Sequence, residues 1–315
     1  MKLTAGAGAT MVAAALLLTG CGSGPKSSAS VVNVPYAASL AYIMDQQVGP
    51  AYQKASHVTY EGRAGTSLSL VHLIDANSIP ADVFLSIGAG PIKDLGRKAP
   101  WAIGFASAPL VLAYNPKSPY AAELQAIARG ERPFRDLFPI LAQPGFKLGR
   151  TNPNTDPQGQ AFYMMVELAQ KLYGLPAGST RKILGPLDNP REVYSETGIL
   201  TELQAGNLDA TSAFLPEAKE HHLPYIVLPP SLNFADPADA AFYDQASVRI
   251  TGGQVIRGAP ITIDLTVVNG SPAGIRFAHY VLTHPHYWRE DGYTVITPLY
   301  AGHVASIPNA LRNIR

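Results

Sequence analysis

Between Val31 and Ile87 the chain alternates three apolar runs with two helical patterns, and this alternation constrains the fold more than any other feature. Val31-Val32-Asn33-Val34 reads as a buried strand. A helix is expected from Ser39, with Leu40, Ile43, Met44 and Val48 along one side. A second strand runs from His57 to Tyr60, and Gly62-Arg63-Ala64-Gly65-Thr66-Ser67 leads into a helix carrying Leu68, Leu70, Val71, Leu73 and Ile74. Ala81 to Ile87 is a third, apolar strand that ends in Gly88-Ala89-Gly90. Parallel neighbours can be joined only by a crossover, so this βαβαβ order demands a mostly parallel sheet with helices on its faces. Ligands of such sheets sit beyond the carboxyl ends of the strands.

At 315 residues the chain is long enough for two such lobes. Charged residues make up only 15% and the net charge is +1, with no basic run, which argues against nucleic acid as a partner. The N-terminus has a separate role. Lys2 is followed by a Gly/Ala/Leu/Val run to Leu18 and then Leu18-Thr19-Gly20-Cys21, the pattern of a bacterial lipobox. Residues 1–21 are therefore expected to be a lipoprotein signal peptide with Cys21 as the lipidated residue, and residues 22–30 (GSGPKSSAS) a flexible tether. The expected location is outside the cytoplasm, on a lipid anchor. Cys21 is the only cysteine, so no disulfide is available.

Further along, Phe105 to Tyr114 reads as one long strand able to cross between lobes, and Ala121 to Arg129 as a helix. Gly149 to Gly174 is a strand end, a polar turn and an amphipathic helix, with Asn152, Asn154, Thr155 and Asp156 as turn and cap residues and Pro157 at the first helical position. Arg181 to Pro190 is expected to be a surface loop, Ser195-Glu196-Thr197-Gly198 to cap a helix ending at Gly206, and Leu208 to Phe214 to be a strand. Val227 to Pro237 looks like a return linker and Val248 to Arg257 a hairpin with Gly252-Gly253 at its turn. Ile261 to Val268 is a strand and Ser271 to Thr283 a helix. The first lobe is expected to hold residues 31–113 and 228–315, the second residues 114–227.

Three strand-to-helix junctions share one chemistry: Ala38-Ser39, Gly65-Thr66-Ser67 and Thr155-Asp156-Pro157-Gln158-Gly159, with a fourth at Glu196-Thr197. A helix N-terminus offers unpaired N–H groups and the positive end of a dipole, which suits a tetrahedral oxyanion. Each Ser or Thr taken singly is more often a plain N-cap, and it is the recurrence of four such junctions that points to an anion.

These segments resemble the molybdate/tungstate-binding proteins of ABC importers, in their archaeal-type tungstate/molybdate branch. The resemblance is carried by AASLA (Ala37 to Ala41), AGTS (Ala64 to Ser67), ADVFLS (Ala81 to Ser86), FASAPLVLAYNPKS (Phe105 to Ser118), TNPNTDPQGQ (Thr151 to Gln160) and LPPSLNFADP (Leu228 to Pro237). It implies an α/β, two-lobe periplasmic-binding-protein clamshell (type II) with a mixed, mostly parallel sheet in each lobe. It further implies a monomer that closes on molybdate or tungstate, docks on a membrane permease, and needs no cofactor or other metal. Carried over by motif position, Ser39 and Thr66 would donate from the first lobe, and Asp156, the backbone N–H of Gln158, and Thr197 would contribute from the second. Ala38 and Ser67 flank these positions. In the archaeal-type members two carboxylates approach the metal itself. One falls at Asp156; the other falls at Ala213, and Phe214 stands where relatives often carry tyrosine. This chain departs from the pattern there, with Asp156 turned away as a cap and Glu217 in reach as the alternatives that remain.

Other readings stay open beside this one. A clamshell of this kind also serves sulfate, phosphate or ferric ion, although the tyrosines are scattered. A lipoprotein hydrolase using Ser67 or Ser39 is the rival from another class, but Gly65-Thr66-Ser67-Leu68-Ser69 lacks the last glycine of a nucleophile elbow. His221, His222, His279, His284 and His286 offer no i, i+4 pair on one helical face for a metal.

Overall fold

The computed structural model describes residues 30–312 and residue 314. The expected signal segment, Cys21 and the expected tether up to residue 29 lie outside the described residues. Thirteen strands are described: β1 Val31–Ala37, β2 Thr59–Gly65, β3 Val83–Ile87, β4 Trp101–Ser107, β5 Leu110–Tyr114, β6 Leu148–Thr151, β7 Val193–Tyr194, β8 Ala210–Phe214, β9 Tyr225–Val227, β10 Ser247–Arg249, β11 Val255–Arg257, β12 Thr262–Val267 and β13 Thr294–Gly302. They form a six-stranded sheet in the order β13-β4-β12-β3-β1-β2, a five-stranded sheet in the order β7-β6-β8-β5-β9, and the separate hairpin β10-β11.

The βαβαβ opening places β1 between β2 and β3, parallel to both. β12 then runs antiparallel between β3 and β4, and β13 antiparallel along β4. In the second sheet β6 is parallel to β7 and β8, while β5 is antiparallel to β8 and β9. β1 to β4 thus share one direction in the first sheet, as do β6 to β9 in the second, which is the mostly parallel arrangement the alternation demands. Val32, Val34, Leu85, Ile103, Ile263 and Leu265 are fully buried and form the first lobe's core. The helix Pro157–Tyr173 buries Phe162, Met165, Val166, Leu168 and Ala169 against the second sheet.

Several local expectations are corrected. The helix beginning at Ser39 is a 3₁₀ turn, Ala38–Leu40, then a π-helical stretch, Ile43–Val48, before the α-helix Gly49–Ser56. Phe105 to Tyr114 is not one strand, because Ala108-Pro109 breaks it into β4 and β5, each belonging to a different sheet. Proline has no N–H to contribute to a ladder. The expected change of lobe at Ala113/Tyr114 therefore falls inside β5, and the sheets change over at Ala108-Pro109. Arg181 to Leu184 is helical, within Ser179–Leu184. The return also comes later than the expected Leu228. Residues 245–251 are tied to the second lobe, with Ser247 N–H donating to Glu167 Oε2 (3.2 Å) and Thr251 N–H to Asn154 Oδ1 (2.7 Å). The chain regains the first sheet only after Gly258, where Ile261 N–H bonds Phe234 O and Ala108 N–H bonds Ile261 O.

Candidate functional site

Both crossings and the carboxyl ends of β1, β3 and β8 converge on one recess between the lobes. Ser39, Leu40, Ile87, Ala108 and Ile263 line it from the first lobe, together with Tyr293, while Phe214, Pro216 and Glu217 line it from the second. Ser39 sits in the 3₁₀ turn directly after β1, half-buried, with Ala38 beside it. Its carbonyl accepts a hydrogen bond from the Tyr293 hydroxyl (3.4 Å). Burial holds the Tyr293 phenol firmly in its protonated form, reinforced by the negative charges of Asp291, Glu217 and Glu220.

The second lobe brings a polar chain to the same place. Ser212 Oγ donates to Gln158 Oε1 (3.1 Å), and Gln158 Nε2 donates to Glu217 Oε2 (2.8 Å). The same Glu217 oxygen accepts the Phe214 N–H (2.8 Å), capping the helix Leu215–Glu220 from its third residue. Gln158 is almost wholly buried, so its amide is oriented by these two partners. No Lys, Arg or His lines the recess among the described residues.

The expected site residues divide. Ser39 and Phe214 meet in the recess, and Gln158 is joined to it only through the hydrogen bond of its side chain to Glu217. The backbone N–H of Gln158, expected to face an anion, is instead taken by Asp156 Oδ1 (2.8 Å). The Pro157–Tyr173 helix start is therefore not bare: its own cap residue supplies the negative charge that the unpaired N–H groups favour. Burial pushes the Asp156 carboxyl above the usual aspartate range; the amides of Gln158 and Gly159 and the nearby Thr151 hydroxyl draw it back. The buried Thr151 hydroxyl stands close without completing a hydrogen bond.

Thr66 likewise caps its helix, Ser67–Asp75, accepting weakly from Ser69 N–H (3.4 Å) and donating to Ser69 Oγ (2.7 Å). Thr66 is exposed, and neither it nor Ser67 lines the recess. Thr197 occupies the second position of the helix Glu196–Gln204, behind Ser195. Ala213 is fully buried in an apolar cluster with Val111, Ile199 and Leu203, on the face of β8 opposite Ser212 and Phe214. A side chain there points away from the recess, because strand residues alternate faces.

Sequence reasoning under-weighted Glu217 and missed Tyr293. Glu217 stands three residues after a helix cap, with Pro216 between them, which is half of a capping signature; the other half, a Ser or Thr at the cap, is replaced by Phe214. Tyr293 follows a helix-ending Gly292 and carries no periodic signal.

Residues 32–294 match the family described as bacterial extracellular solute-binding protein, and the chain belongs to that family. An uncharacterized solute-binding protein of Halobacterium salinarum is 28% identical over 297 residues, spanning 93% of this chain and 92% of its own length. The molybdate/tungstate-binding protein WtpA of Pyrococcus abyssi is 25% identical over 283 residues, spanning 82% of this chain and 80% of its own. Among solved structures, the periplasmic molybdate-binding protein of Azotobacter vinelandii superposes with a TM-score of 0.54 at 15% identity, over 84% of this chain and 100% of its own. That last likeness establishes the shared two-lobe α/β fold.

Proposed function

We propose that this protein captures a tetrahedral oxyanion of the molybdate/tungstate class between its lobes and delivers it to the permease of an ABC importer. The observation that carries the reading is the meeting of Ser39 from one lobe with Phe214 and Glu217 from the other, beyond the carboxyl ends of β1 and β8. Similarity to the Pyrococcus abyssi protein supports the choice of ligand. The protein acts as a monomer, without catalysis or cofactor, held at the outer face of the membrane through a lipid on Cys21. Ser39, and Thr66 and Thr197 once the lobes shift, supply neutral donors; Asp156 remains a cap. Glu217, not a residue at position 213, is the carboxylate the anion meets. A carboxylate facing a dianion is repulsive unless the ligand offers it a proton or an electropositive metal centre.

That condition also favours a second reading, hydrogenphosphate, which carries a proton to share with Glu217. Isothermal titration calorimetry of the anion-free protein against molybdate, tungstate, sulfate and phosphate separates the two. The oxyanion reading expects one-to-one binding of molybdate and tungstate with sulfate at least tenfold weaker, a difference of about 1.4 kcal/mol. Binding of phosphate alone would transfer the assignment to the second reading, and heat from none of the four would overturn both.

A further inference from the structure

A second contact between the lobes lies behind the recess, where the helix Leu215–Glu220 rests on the turn Glu290 to Tyr293. Lys219 Nζ donates to Glu290 O (2.5 Å). Gly292 has φ +110°, and a Cβ there would lie 2.9 Å from Lys219 Cδ and 3.2 Å from Leu215 Cγ, so the second lobe's helix is seated directly on this glycine. Beside it, Asp291 is 9% exposed and accepts a hydrogen bond from Gln47 Nε2 (3.1 Å), which belongs to the π-helical stretch Ile43–Val48. The charged and titratable groups around Asp291 are Lys219, Glu220 and, through Tyr293, Glu217 on the second lobe's helix. On the first lobe they are Arg289 and Glu290 on its own helix and Tyr293 itself, while Asp45 on the π-helical stretch is turned to the Tyr36 hydroxyl. The surround is thus mixed, with Lys219 and Arg289 against Glu217, Glu220 and Glu290, and the Gln47 amide is the direct hydrogen-bond donor.

We propose that this turn is a proton-linked latch between the lobes: seating the helix Leu215–Glu220 on Gly292 covers the Asp291 carboxyl and draws a proton onto it, so that acid favours the seated arrangement. The linkage follows from the surroundings. Burial pushes the Asp291 carboxyl up to about 6, the Gln47 amide lowers it, Glu220 raises it further and Lys219 lowers it. Burial likewise raises Glu220, with His221 opposing. When the lobes part, water reaches Asp291 and its carboxyl returns toward the ordinary value of 3.8. A group whose pKa is higher in the seated form contributes fully below the lower value and loses that contribution as pH rises through about 6. Between pH 7.5 and pH 5, one such group changes the seated-to-parted ratio by about tenfold.

The test uses the protein without any anion, so it succeeds or fails independently of the ligand assignment. Dyes on Glu61→Cys in the first lobe and Thr201→Cys in the second, in a Cys21→Ser background, report the two arrangements by single-molecule energy transfer. The expected result is a seated-to-parted ratio at least about tenfold higher at pH 5 than at pH 7.5, most of that dependence lost in Asp291→Asn, which stays seated at both pH values. Glu220→Gln keeps a pH dependence but raises the ratio at pH 7.5, and it serves as the readout if Asp291→Asn does not fold. A ratio equal at both pH values, or a pH dependence that Asp291→Asn leaves undiminished, overturns the latch.

Discussion

Two helices in this protein begin with the same device and serve different ends. In the second lobe Asp156-Pro157-Gln158-Gly159 opens the helix Pro157–Tyr173; in the first, Ser271-Pro272-Ala273-Gly274 opens the helix Pro272–Thr283. Each has a capping side chain, proline at the first helical position and glycine at the third. Asp156 accepts from Gln158 N–H at 2.8 Å, and Ser271 Oγ accepts from Gly274 N–H at 3.2 Å. Each glycine lets the helix approach a main-chain oxygen: a Cβ at Gly159 would lie 2.4 Å from Thr151 O, and one at Gly274 would lie 2.3 Å from Asp82 O. The difference lies in the strand ends. Thr151 closes β6 at its carboxyl end, beside the cleft. Asp82 precedes β3 at its amino end, far from the cleft, and its carboxylate also takes the Ser271 hydroxyl (2.5 Å) and the Asn33 N–H (2.8 Å). Local sequence makes a helix start; the direction of the strand before it decides whether that start faces a ligand.

The largest effect that would test this comparison comes from the glycines. Gly159→Ala and Gly274→Ala each press a methyl into a backbone oxygen, and each is expected to cost about 1–3 kcal/mol in urea unfolding. Where both variants remain folded, only Gly159→Ala should weaken oxyanion binding by calorimetry. Equal loss of binding in the two would break the distinction between them.

Glu217→Ala is next. It leaves the Gln158 amide and the Phe214 N–H without their acceptor, at a cost of about 1–3 kcal/mol. Glu217→Gln keeps the shape but cannot accept from the Gln158 amide through a charged oxygen; if Glu217 is the discriminating carboxylate, this variant narrows the gap between sulfate and molybdate. An unchanged ratio of the two affinities would confine Glu217 to capping.

Removing the caps is smaller. Asp156→Ala and Ser271→Ala should each destabilise by about 1 kcal/mol in thermal melts. Exchanging one good cap for another is smallest: Asp156→Ser is expected to stay within a few tenths of a kcal/mol. Asp156→Ser also shows whether the charge at this position matters to the anion, through calorimetry at neutral pH. Tighter binding without the carboxylate would mark Asp156 as a brake on dianion entry, whereas weaker binding would place it against the ligand.

Much of the fold was legible in one dimension because it rests on short-range rules. The alternation from Val31 to Ile87 specified three parallel strands, Gly252-Gly253 specified the β10-β11 turn, and Asp156-Pro157 and Ser271-Pro272 specified two helix starts. Periodicity, capping and turn chemistry act over a few residues, so local sequence suffices for them. The resemblance to a solute-binding family was legible as well, in short segments such as Ala37 to Ala41, Phe105 to Ser118 and Thr151 to Gln160.

What only the tertiary structure decided was which groups share a space. Ala213 and Phe214 are neighbours in sequence but face opposite sides of β8, and pairing with β5 sets which side is the cleft. Glu217 lies outside that strand yet reaches the cleft because its helix turns back to cap Phe214. Tyr293 meets Ser39 across 254 residues of chain. No local rule encodes such meetings. They follow from the packing of two sheets joined at Ala108-Pro109 and Gly258, where burial of distant apolar faces fixes which polar side chains are left looking at one another.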